Sequence, residues 1–171
     1  SGRVSAVFHG ACKNLGDLAT AAKTDPKRLA EEAFRALCEN DYGQYDGLLD
    51  ALGPTLGTEG LDHLKRLFTD LSAKPLPTPS EEDREVIGWG SSGPVYADAY
   101  AERRRDSVVR MALTDIADAQ GDVDAFIAQK SETERGVPMV AAEIAQRLLA
   151  KGRIDDAWDA VNAVDKERPG W

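Results

Sequence analysis

Apolar residues recur at intervals of three and four along nearly the whole chain, and this period constrains the fold more than any other feature. Leu61, Leu64, Leu67, Phe68 and Leu71 form one of its clearest runs. An α-helix turns once in about 3.6 residues, so this spacing gathers the large side chains into one stripe that must be covered. No segment alternates apolar and polar residues as a half-buried strand would. The expectation is an all-α chain. A first helix is predicted over residues 4–22, with Val4, Val7, Phe8, Ala11, Leu15 and Leu18 on its apolar face. Asp25-Pro26 supplies an N-cap acceptor followed by a proline at the first helical position, and opens a second helix to about residue 39. A shorter helix over 45–52 is predicted to stop at Gly53-Pro54, and a fourth to begin near Thr58.

The period breaks at residues 74–80, Lys-Pro-Leu-Pro-Thr-Pro-Ser, where three alternate prolines favour extended backbone. Ser80 with Asp83 resembles a capping box for one or two helical turns through Val86. A glycine-rich loop at 88–93 follows, and Pro94 is expected to open the longest helix, ending near Gln120. Charge divides at the same place. Residues 1–74 hold nine basic and eleven acidic side chains, residues 75–171 twelve and nineteen. The predicted organisation is a helical half over 1–71, a Pro/Gly-rich linker over 72–93, and a second helical half over 94–171.

The chain has 171 residues and a formal charge of −9. At about 150 residues per domain, the length alone suggests one. The acid excess disfavours bare nucleic acid and anionic lipid, both of which it would repel. The longest uncharged run, 86–97, is twelve residues and too short to span a bilayer as a helix. Cys12 and Cys38 cannot build a disulfide framework, which favours a reducing, cytoplasmic setting.

An internal repeat appears in the second half. Residues 116–125 resemble 148–157: an apolar helix ends at Gly121 or Gly152, 31 residues apart, and another restarts after it. The second copy resembles a tetratricopeptide repeat. Ile144 and Ala145 occupy the Leu-Gly position, Leu148 the aromatic position, Gly152 the turn, Ala157 the small-residue position, and Pro169 the end. Ala141 departs from the preferred Trp, and Ala145 from the Gly. Since solenoids need capping, a repeat closing at Pro169 is expected to belong to something longer. The segments at 40–65 (NDYGQYDGLLDALGPTLGTEGLDHLK), 88–106 (GWGSSGPVYADAYAERRRD), 117–129 and 147–158 also resemble a family of uncharacterised bacterial proteins, mainly alphaproteobacterial. That resemblance implies a helical-repeat fold and brings no established activity.

Gly88-x-Gly90-x-x-Gly93 spells a dinucleotide or kinase glycine pattern, but such loops follow a strand, and VAIK, HRD and DFG segments are missing. Pro94 also removes one amide from the turn. A structural loop anchored by Trp89 and Tyr96 is the preferred reading. His9 and Cys12 lie three apart, with Cys38 and His63 isolated, so no metal is expected. There is no Gly-x-Ser-x-Gly elbow, and Asp115, Asp118, Asp122 and Asp124 lack the order of an EF-hand.

No catalytic residue or cofactor is therefore assigned. Arg103, Arg104 and Arg105 cannot share one helix face, since successive residues point about 100° apart. Trp89, Tyr96, Tyr100 and Arg103 are the candidate contacts for a protein or peptide partner, because aromatics and Arg anchor interfaces well. The competing expectation is that the aromatics, with Tyr42 and Tyr45, fill the junction between the two halves. The function expected is a non-catalytic interaction or scaffolding module built of about eight helices, with homodimerisation as a possible structural role. The alternative is a hydrolase or nucleotide-dependent enzyme using the acidic helices and the 88–93 glycine loop.

Overall fold

The computed structural model describes residues 2–164, with side chains from residue 6. Pro169 lies outside the described residues. Among those described there are eight α-helices and one two-stranded antiparallel sheet, so the chain is mainly helical. They fall into two compact units, Ser1–Ala119 and Gln120–Trp171. Residues 72–93, expected as a linker between halves, lie inside the first unit.

The first unit begins with α1 (Gly2–Ala21), α2 (Pro26–Cys38) and α3 (Leu48–Ala73). Asp25 caps α2 as its sequence predicts: its carboxylate accepts from the Arg28 amide at 2.8 Å, with Pro26 in the first turn. Helix α2 buries Leu29, Ala30 and Ala33. Phe34 meets Phe68 of α3 with ring centroids 4.8 Å apart, a tilted aromatic pair. Leu48, Leu52, Leu56, Leu64 and Phe68 are almost wholly enclosed, so α3 is the centre of this core.

Two helices are expected along α3, one stopping at Gly53-Pro54 and the next beginning near Thr58. The chain instead runs helically through Pro54 and kinks at Gly57 (φ 53°, ψ −166°). The break needs a positive φ, which glycine reaches without a Cβ clash.

Helix α1 departs further from expectation. Its large apolar side chains are not the ones that pack. Cys12, Gly16 and Ala19 are buried, while Val7 is 70% exposed and Leu18 65%. Gly16 explains the choice, since a Cβ there would run into the Ala51 carbonyl of α3. The small face permits a backbone approach that the leucine face could not make.

The expectation of no strand is also corrected. After a single 3₁₀ turn (Glu81–Asp83), β1 (Val86–Gly90) and β2 (Gly93–Tyr96) form a hairpin. Gly90 pairs with Gly93, Trp89 with Pro94 and Val86 with Tyr96, with an irregularity between Val86 and Gly88. Glycines at 88, 90 and 93 erase the apolar alternation by which a strand is read. Pro94 therefore sits in a strand rather than opening a helix; both strands of a two-stranded sheet are edges, where the missing N–H is tolerated. Helix α4 (Ala97–Gln120) starts three residues later, its first amide donating to the Glu85 carbonyl at 2.9 Å.

The second unit holds α5 (Val123–Ala128), α6 (Glu132–Arg135), α7 (Pro138–Ala150) and α8 (Ile154–Asn162). Asp122 caps α5 through the Ala125 amide, and Ser131 with Glu134 forms a full capping box on α6. Gly121 and Gly152 both take the left-handed conformation expected from the repeat (φ 63° and 74°). At Gly152, the Arg153 amide donates to the Leu148 carbonyl and the Gly152 amide to that of Leu149, a Schellman turn. The two copies diverge after the turn, where α5 has six residues and α8 has nine. Helix α7 buries Ala141, Ile144, Ala145 and Leu148, and α8 buries Ala157. No helix among the described residues is long and apolar enough to cross a membrane.

Candidate interaction surface

The hairpin is held to α4 by one polar unit. Arg84 forms an ion pair with Asp98 at 2.9 Å and lies over the Tyr96 ring, 3.9 Å from its centre. The Arg84 hydrogen bonds hold the Asp98 carboxyl below the usual aspartate range, and burial opposes them only in part. Tyr96 is half-buried beneath this pair. The structure thus gives Tyr96 a partner within the chain.

Trp89 is 79% exposed on β1, and Tyr100 and Arg103 are exposed on the first turns of α4. Residues Gly90–Tyr96, with Ala99 and Arg103, border a groove of about 400 Å³. Tyr96 and Arg103 are brought to this groove, while Trp89 and Tyr100 are not among its lining residues. The junction-filling role expected for the aromatics does not describe Trp89, Tyr42 or Tyr100, all of which face solvent. Tyr45 is half-buried against the α2–α3 core.

The three consecutive arginines diverge as helix geometry requires. Arg104 pairs with Asp41 and donates to the Cys38 carbonyl at 3.0 Å. Its hydrogen bond to Asp41 pushes the guanidinium pKa up. Arg105 donates to the Lys74 carbonyl at 2.8 Å and pairs with Asp106. Both therefore tie segments of the first unit together, and Arg103 is the one at the groove.

The glycine run 88–93 lies in the hairpin, with Gly90 and Gly93 facing each other across the sheet. It is separated from the start of α4 by β2. Among the described residues, no three His, Cys, Asp or Glu side chains are grouped to hold a metal. Burial pushes the Cys12 thiol up, aided by Asp46, and pushes the Cys38 thiol up against the pull of Arg104. Neither is tuned towards thiolate. His63 is half-buried, its Nε2 enclosed without a hydrogen-bond partner and 3.6 Å from Glu31.

A second concavity, in the second unit, was not anticipated from the sequence. It measures about 590 Å³. Ile127, Ile144 and Leu148 supply its apolar lining; Asp124, Glu132, Asp156, Asp159, Arg135 and Arg153 supply charge. Arg153 donates to Asp124 at 2.7 Å and to Asp156 at 2.6 Å. Those two bonds, Asp124 foremost, favour the charged guanidinium and raise its pKa. Arg147 stacks on Phe126 at 4.0 Å. The sequence signal was Arg153 directly after the Gly152 turn, where the chain reverses and can carry its guanidinium back to an acid of α5. Residue spacing could not show that closure.

The chain belongs to a family of unknown function, DUF6880, whose model matches residues 1–171. No curated protein and no solved structure gave a significant match.

Proposed function

We propose that this protein is a non-catalytic module that binds a protein or peptide partner through the hairpin and the start of α4. The observation that carries this reading is Trp89, an indole left 79% exposed on a strand that Arg84 and Tyr96 fasten to the helix beside it. An exposed tryptophan on a braced element loses little rotamer freedom on burial and offers a large contact area. Trp89, Tyr100 and Arg103 would make the contact, with Tyr96 lining the groove behind them. The α7–α8 hairpin, with its Schellman turn and buried Ala157, supports a TPR-like reading of the second unit. A bacterial cytoplasmic scaffold is the setting we infer, one in which the thiols of Cys12 and Cys38 stay reduced.

Affinity capture from native bacterial extract, read by mass spectrometry, tests the reading. A Trp89→Ala/Arg103→Ala bait serves as the control, since neither side chain has a packing role in the first unit's core. A defined partner captured by the parent and lost by a folded double variant is the expected outcome. Equal capture by both baits overturns the assignment of this surface.

A further inference from the structure

We propose that the cleft of the second unit is a docking site for a basic peptide segment, one that sets an aliphatic side chain beside a lysine or arginine. The site shares no residue with the hairpin surface, so either assignment can fail without the other. At about 590 Å³ the cleft falls within the range of about 300–1,000 Å³ in which proteins hold ligands. Its apolar lining is built from the inside of the unit: Ile144 and Leu148 of α7 are 3% and 2% exposed, and Ile127 of α5 is half-buried. Its polar lining is solvated, since Glu132, Arg135, Asp156 and Asp159 are all exposed. A ligand that fits both must be amphipathic.

Charge selects the sign of that ligand. Four carboxylates and two guanidiniums line the cleft. Arg153 is already committed, donating to Asp124 at 2.7 Å and to Asp156 at 2.6 Å. Those bonds tie α5 to α8 and hold this side of the cleft in place before a ligand arrives. Glu132 of α6 and Asp159 of α8 remain, neither with an ion pair to another described residue, against the single guanidinium of Arg135. An acidic segment would meet two open carboxylates; a basic one gains two acceptors. The chain's charge of −9 adds attraction for cations at a distance.

The mixture of groups selects a peptide over a simple cation. Arg135 can donate to a carbonyl oxygen, the open carboxylates accept from an ammonium or guanidinium, and the isoleucines and leucine take an aliphatic group. A peptide segment carries all three. Exposed ion pairs are individually weak, so the apolar lining supplies most of the affinity and the carboxylates choose between basic and acidic ligands.

Titration of the full chain with a fluorescein-labelled peptide of alternating leucine and lysine, read by fluorescence polarisation, tests the proposal. Leucine–glutamate and glycine–lysine peptides of equal length are the comparisons. Saturable binding of the leucine–lysine peptide is expected, at least roughly tenfold tighter than either comparison. Glu132→Gln/Asp159→Asn should weaken it by roughly three- to tenfold. Glu81→Gln/Glu82→Gln removes the same charge from an exposed turn of the first unit and should change it little. Circular dichroism checks the helicity of both variants.

Amide chemical shifts of the unsubstituted chain locate the site whether or not a variant folds. The peptide should move the resonances of Ile127, Glu132, Asp159 and Ala160. Absence of saturable binding overturns the proposal, as does equal binding of either comparison peptide. Equal weakening by the two charge variants, or shifts confined to the first unit, overturns it as well.

Discussion

Helices α1 and α3 both read as apolar helices, yet they use their side chains in opposite ways. Helix α3 encloses its large residues, Leu48, Leu52, Leu56, Leu64 and Phe68 among them. Helix α1 encloses Cys12, Gly16 and Ala19 and leaves Phe8, Leu15 and Leu18 outside. The difference teaches that periodicity names the members of a face without saying which face packs. A helix at the centre of a core is surrounded and must bury bulk. A helix at its edge has one neighbour, and the closest backbone approach can win over the largest side chains.

Substitutions can break or sharpen this contrast. Phe68→Ala in α3 should cost about 3–5 kcal/mol, the range for deleting an enclosed aromatic, measured by chemical denaturation followed by circular dichroism. On α1, Gly16→Val should cost about 1–3 kcal/mol or more, because its Cβ has no room beside Ala51. Leu15→Ser, the member of α1 that looks most like core by sequence, should change monomer stability by only about 0.5 kcal/mol. If Leu15→Ser proves as damaging as Phe68→Ala in the monomer, the assignment of the packed face of α1 is wrong.

A further and smaller effect concerns the brace on the hairpin. Asp98 has its folded-state pKa lowered by Arg84, so the pair stabilises the hairpin above the ordinary aspartate pKa and loses that contribution as pH falls through the folded value. Amide exchange over residues 86–96, followed by NMR from neutral pH down to about 3, should accelerate across that acid window relative to pH-corrected intrinsic rates. Arg84→Gln should exchange faster at neutral pH and show little of this acid dependence.

Much of the fold was legible where a local rule acts alone. Asp25-Pro26 set the start of α2 because the cap bond spans only three residues. Gly121 and Gly152 marked their turns because a helix C-terminus needs a left-handed residue irrespective of what surrounds it. The hairpin was missed because its glycines hide the alternation, although Val86, Ile87, Trp89, Val95 and Tyr96 were the β-branched and aromatic signal of strands. The expected stop at Gly53-Pro54 comes a few residues early because Pro54 is the more conspicuous breaker, while the chain turns at Gly57, which can take positive φ, just before the expected restart near Thr58.

The candidate surface was legible in part. Trp89, Tyr100 and Arg103 stood out by residue type. The enclosure of Tyr96 beneath Arg84 goes with a contact across fourteen residues between Arg84 and Asp98. The cleft of the second unit depends on Arg153 reaching Asp124, twenty-nine residues away.

By itself the sequence determined the helical character, the caps, the glycine turns and the family to which the chain belongs. Each rests on neighbours within a turn or two, or on the residue string as a whole. Only the tertiary structure decided which face of α1 is buried, which arginine stays at a groove and which carboxylates close on Arg153. Those outcomes depend on competition between distant groups for the same space, and on how closely two backbones can approach.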